Sequence, residues 1–196
     1  MTNDKYREFV EHPRFGWEPQ YTGMNPQTDY GGDTFLHWHS PKSCRIPNTA
    51  IAANIKKQMR ATVAVTHYYD AKRQCRDCRR MFIFFAAEQQ HWYEVLQFGL
   101  ESNCVRCVPC RKRQQGIAQL RDQYESLYHQ PERDEQESLT MAECCLSLIE
   151  GQVFTIKQCQ RVRSLINSVH HRDFTNRINA IRQRLAIIEA DTQSAE

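Results

Sequence analysis

No run in this 196-residue chain approaches the roughly 20 apolar residues that a helix needs to cross a bilayer. Residues 1–10 are polar and mixed in charge, without the apolar core of a secretory leader. A cytoplasmic protein with no membrane association is therefore expected. The chain also lacks a glycine-rich phosphate loop, a Gly-x-Ser-x-Gly elbow and a His-Glu-x-x-His pair. Those absences remove the common signatures of nucleotide hydrolysis, serine esterases and zinc proteases. No small-molecule substrate is evident, and the chain is expected not to be an enzyme. A large charge imbalance is missing too. The formal net charge is +3 with every thiol neutral, and four thiolates around one divalent zinc bring it to about +1. Bulk charge gives no reason to expect nucleic acid.

What the chain does have is cysteine, nine in all. In a reducing compartment, clustered cysteines read as metal ligands rather than as disulfides. Cys75-Arg76-Asp77-Cys78 and Cys107-Val108-Pro109-Cys110 are two Cys-x-x-Cys turns. Each brings two sulfurs to the spacing of neighbouring zinc ligands, and N–H groups within such a turn stabilise the thiolates. One Zn2+ per chain, held by Cys75, Cys78, Cys107 and Cys110, is the expected cofactor. A catalytic zinc keeps a position open for water, so four thiolates describe a structural site. Cys104 complicates the assignment, because Cys104-Val105-Arg106-Cys107 is also a Cys-x-x-Cys. The metal could use Cys104 and Cys107 and leave Cys110 out. Pro109 inside the last turn and Arg111 after it favour Cys107 with Cys110. Cys104 is then a neighbouring thiol, a spare ligand or a redox-sensitive position.

The stretch from 67 to 113 resembles the bacterial "probable zinc-ribbon" family. The resemblance rests on Cys75-x-x-Cys78, Phe82-Ile83-Phe84, Glu88-Gln89, Trp92-Tyr93, Gly99 and Arg106-Cys107-x-x-Cys110-Arg111. It covers about a quarter of the chain and implies a metal-stabilised module, with no activity attached. Two positions depart from the family pattern: Cys104, where proline is more usual, and Arg79, where glycine is frequent.

The expected fold is a small zinc ribbon, a short β-hairpin plus helix, with an irregular N-terminal arm and an α-helical C-terminal region. The arm, residues 1–66, is broken by Pro13, Pro19, Pro26, Pro41 and Pro47 and by Gly16, Gly23, Gly31 and Gly32. Phe15, Trp17, Tyr21, Tyr30, Phe35 and Trp38 recur through it. Such aromatic content favours an extended arm wrapped on the rest over plain disorder, with a short helix near 50–59. The ribbon, residues 67–113, contains a strand at Met81–Phe85 and a helix over 88–97 whose inner side carries Trp92, Val95 and Leu96. The region 114–196 reads as helices at about 111–129, 135–150, 155–169 and 173–190. Asp134 with Glu137, Thr155 with Gln158, and Asp173 supply their N-terminal caps. Ile156, Cys159, Val162, Ile166 and Val169 form one inner stripe. Phe174, Ile178, Ile181, Leu185 and Ile188 form a heptad-like seam.

Three functional readings follow. The first is a non-enzymatic adaptor whose helices bind a protein partner. The second is nucleic-acid binding through Arg76, Arg79, Arg80, Arg106, Arg111, Lys112 and Arg113, since residues 72–113 carry nine basic against four acidic residues. The third is a thiol and zinc redox sensor at Cys104. His37-x-His39 with Cys44 is a weak second metal motif that packing explains better. His170-His171 reads as a solvated turn, and Cys144, Cys145 and Cys159 as core residues.

Overall fold

The computed structural model describes residues 4–27 and 33–193. Tyr30, Gly31, Gly32 and the first three residues of the polar N-terminus lie outside the described residues. The chain divides into two compact units, residues 1–111 and 112–196.

The first unit is built on two small antiparallel hairpins. β1 (Ile51–Ala52) pairs with β2 (His67–Tyr68), and β3 (Ala71–Gln74) pairs with β4 (Met81–Phe84). α1 (Ala86–Gln90) follows β4 directly and runs on as a wide π turn at His91–Val95. Strand β4 explains the apolar run Met81–Phe85, because side chains alternate across a strand. Phe82 and Phe84 join Cys75, Cys104, Cys107 and Cys110 in one buried cluster. Ile83 and Phe85 join Tyr6 and Ile46 in another, with Phe9 and Phe15 against it. Both faces are covered, so no polar alternation appears in the sequence.

The described part of the arm supplies that second cover. Val10 bridges to Phe82, Leu36 to His67, and Arg45 to Ala71. Val10 N–H donates to Met81 O at 2.7 Å. Asp70 is the tie between segments. Its carboxylate is fully buried and accepts from Gln20 N–H and from Ala86 N–H, each at 2.7 Å. Burial raises its pKa to about 6, against the pull of those two donors. The helix expected near 50–59 does not form. β1 and a single 3-10 turn at Ile55–Lys57 occupy that stretch, which pairs with β2 instead. The inner side of residues 86–95 also differs from expectation. Ala86, Gln89 and Tyr93 are buried, while Val95 and Leu96 are exposed. The π turn rotates the later residues away from a 3.6-residue stripe.

α2 (Val108–His129) begins inside the second Cys-x-x-Cys, earlier than expected. In the second unit, α3 (Glu135–Glu150), α4 (Cys159–Asn167) and α5 (Thr175–Gln193) close around one core. That core holds Leu139, Met141, Leu146, Leu148, Val162 and Ile181. Cys144, Cys145 and Cys159 are buried within it. Asp134 and Glu137 form a reciprocal capping box. Two other caps fail. Thr155 makes no side-chain cap, because Ile156–Gln158 winds as a 3-10 turn before α4. Asp173 lies inside another 3-10 turn, where His171 accepts from Asp173 N–H. Ile156 faces outward, against its place in the expected stripe.

Candidate metal centre

The first Cys-x-x-Cys is the turn of the β3–β4 hairpin, and the second opens α2. Cys75 N–H donates to Arg80 O at 2.9 Å and Arg79 N–H to Cys75 O at 3.0 Å, which closes the first turn. Arg79 sits in the left-handed region at φ 62°. Glycine adopts that conformation without strain, so an arginine here carries a backbone cost.

The sulfurs of Cys75, Cys78, Cys107 and Cys110 all lie within 4.8 Å of one another. Cys78 Sγ and Cys107 Sγ are 3.8 Å apart. A tetrahedron of thiolates around zinc at about 2.3 Å has edges of about 3.8 Å, so the donor set fits one zinc ion. All four cysteines are free of disulfides; three are buried and Cys78 is exposed. For Cys75, burial acts to raise the thiol pKa, but N–H groups of Cys78, Cys107 and Asp77 outweigh it and bring it to about 6. For Cys107, burial prevails and raises it to about 12. Zinc supplies the charge that holds such thiols as thiolates. A centre completed by four thiolates leaves no position for a water or substrate.

Cys104 lies outside this set. It is buried beside it, donates to Arg106 O at 3.4 Å and accepts from the Arg111 guanidinium. Burial pushes its thiol up to about 12, opposed by the Arg111 charge. It is a neutral thiol, the unreactive state.

The other motif residues find physical roles here. Glu88 forms an ion pair with Arg111. Gln89 is buried and donates to Tyr69 O at 2.5 Å and Phe84 O at 2.9 Å, holding β4 to the end of the first hairpin. Trp92 packs edge-on to Phe84 and lies under the Arg111 guanidinium. Tyr93 is buried and donates to Ser102 O at 2.7 Å. Asp70 had no sequence signal of its own.

The proposed nucleic-acid contacts separate into two groups. Arg106 is paired with Asp77 through both carboxylate oxygens, at 2.9 and 3.0 Å. Arg111 is committed to Glu88, Cys104 and Trp92. Both side chains are therefore engaged within the chain. Arg76, Arg79 and Arg80 are exposed on the hairpin turn, and Lys112 and Arg113 are exposed on α2. His37, His39 and Cys44 form no metal cluster among the described residues. His37 Nδ1 accepts from His39 N–H, and the His39 ring bonds Glu101 O.

Residues 69–119 match the model of a family described as a probable treble clef domain. The match covers roughly a quarter of the chain and supports a zinc-binding domain of that type, rather than the zinc-ribbon family in particular. The opening of α2 inside the second cysteine pair agrees with it. No curated protein and no solved structure matches the chain. No helix among the described residues is long and apolar enough to cross a membrane.

Proposed function

We propose that this chain is a non-enzymatic adaptor in which zinc stabilises the first unit and the helical unit binds a protein partner. The observation that carries the reading is a cleft of about 630 Å³ in the second unit. Phe154, Ile156, Ile187 and Ile188 line it, with Glu150 and Arg184 at its edge. Ile187 is 62 % exposed and Ile156 is 39 % exposed. Arg184 already binds both oxygens of Glu150, at 2.8 and 2.7 Å. Glu150 and Arg184 satisfy each other and Asp191 is the one further acid among the described lining residues, so the apolar floor suits the apolar face of an amphipathic helix. Contiguous exposed apolar surface of this kind marks interaction sites.

The test is co-purification from native cells with wild type and with Ile187→Asp. Ile187 contributes little to the core, so the variant should fold and keep its zinc. Loss of a bound protein only in the variant supports the reading. An identical set of bound proteins with both chains sinks it.

Nucleic-acid binding stands as the second reading, supported by the exposed Arg76, Arg79 and Arg80. It calls for retardation at low salt that fades as salt rises, through counterion release. It also calls for weaker binding when the three are changed to glutamine. The burial of Cys104 weighs against a sensor built on that thiol.

A further inference from the structure

The first unit contains a small cavity of about 80 Å³ that shares no residue with the metal centre. Asn25, Gln27, Lys42, Arg45, Pro47 and Tyr69 line it. Among the described residues that line it, two are cations and none is an acid. Arg45 Nε is buried with no hydrogen-bond acceptor among the described residues. His37 Nε2 and Arg73 Nε share that condition, so it does not single out this cavity, whose preference for an anion rests on the two cations that line it. A buried donor without an acceptor is an unusual expense in a fold, and a positive one more so. Burial lowers the Arg45 pKa, yet a guanidinium remains charged at neutral pH.

Arg45 is also held in place. Its backbone bridges to Ala71 and its guanidinium lies 5.7 Å over the Tyr69 ring. Tyr69 is fixed in turn, because its hydroxyl donates to Pro26 O at 2.5 Å and lies 3.0 Å from the side-chain amide of Asn25. The lining thus combines an ammonium, a guanidinium and side-chain amides from two separate stretches of chain, 25–27 and 42–45. A planar carboxylate is best met by the parallel fork of one arginine. Donors of different kinds from different segments suit an acceptor with oxygens in several directions.

We infer that this cavity binds a tetrahedral oxyanion, a phosphate group, taken as the free ion or as the end of a small phosphomonoester. The volume admits one such group, and any organic remainder would stay outside the cavity.

The experiment uses the zinc-loaded full chain and isothermal titration with inorganic phosphate, at ionic strength held constant with sodium chloride. Saturable binding is expected, with a matching rise in the thermal midpoint. Arg45→Gln and Lys42→Gln should each weaken it by about tenfold or more, as loss of a charge-assisted hydrogen bond does. Lys42 is exposed, so Lys42→Gln decides the matter even if Arg45→Gln fails to fold. Glycerol phosphate in place of phosphate distinguishes the sources: tighter binding identifies a phosphomonoester, and weaker or equal binding the free ion. No saturable binding at matched ionic strength overturns the site. So does unchanged affinity in Lys42→Gln, or acetate binding as tightly as phosphate.

Discussion

Arg111 donates a guanidinium N–H to Cys104 Sγ at 3.1 Å. The same side chain pairs with Glu88 and lies 4.9 Å over the Trp92 ring. One residue beyond Cys110, it therefore ties the start of α2 to the helix after β4. Losing one partner of a buried ion pair costs about 3–5 kcal/mol, because the other charge is left without compensation. The side chains of Arg111 and Glu88 retain 18 % and 11 % exposure, so Arg111→Gln should cost about 2–3 kcal/mol on that scale. Denaturant unfolding of the zinc-loaded protein measures it. Cys104→Ser should keep one zinc per chain, whereas Cys110→Ser should lose it and unfold the first unit. Elemental analysis giving the reverse pattern would move the ligand assignment to Cys104.

The strain at Arg79 gives a prediction of opposite sign. A non-glycine residue in the left-handed region costs about 1–2 kcal/mol. Glycine removes that cost but loses more backbone freedom on folding, an offset of about 0.5–1 kcal/mol. Arg79→Gly should therefore stabilise the zinc-loaded unit by about 0.5–1 kcal/mol. A higher denaturation midpoint with an unchanged slope is the expected result. A lower midpoint would mean that the exposed arginine makes interactions stronger than the strain.

The cysteine spacing carried the metal centre because the chemistry of a tetrathiolate is local: each pair of sulfurs sits within one turn. Asp134 and Glu137 were legible for the same reason, three residues apart around one helix start. What sequence reading lost was non-local. The cover that Tyr6, Phe9 and Phe15 give to β4 depends on isolated bridges between distant segments. A signal for it was present in Met81-Phe82-Ile83-Phe84-Phe85. A strand apolar at every position is buried on both faces, and the zinc cluster accounts for only one of them. The inward face of α1 was lost because a π turn breaks the helical period. Thr155 shows the opposite failure, in which a correct local motif yields to a 3-10 turn.

His37 carries a pH dependence. It is buried and stacked against Trp38 and Tyr93. Burial first, then the charges of His39, Arg73 and Arg45, lower its pKa to about 4, with a weaker pull from the nearby Leu100 backbone opposing them. The unfolded chain takes up that proton near the ordinary value of 6.5. The contribution of neutral His37 to stability is therefore complete above about 6.5 and is lost as pH falls towards 4. The loss is on the order of 3 kcal/mol. The unfolding free energies of wild type and His37→Phe should converge as pH falls through that window. Zinc release affects both chains alike, so their difference isolates the histidine. An imidazole resonance of His37 titrating near 6.5 in the folded protein would refute it.

The seam on α5 makes the last prediction. Ile178, Ile181 and Leu185 are buried in the core of the second unit, with Phe174 and Ile188 half-buried against it. Arg177 binds both oxygens of Glu143, and Arg184 both oxygens of Glu150. The two arginines are seven residues apart and flank the seam on one side. They hold α5 along α3, while Arg163 of α4 pairs with Glu189. The seam is thus occupied within the chain by α3 and the core it shares with α4. Truncating a leucine in such a place removes its burial and leaves a cavity, at a cost of about 2–5 kcal/mol. Leu185 is only 4 % exposed, so Leu185→Ala should fall within that range and leave the mass in solution unchanged. Leu185→Asp should unfold the helical unit, read as a loss of helical circular dichroism. Sedimentation provides the contrary outcome: a Leu185→Asp chain that stays folded at half the wild-type mass would make the seam an interface between copies.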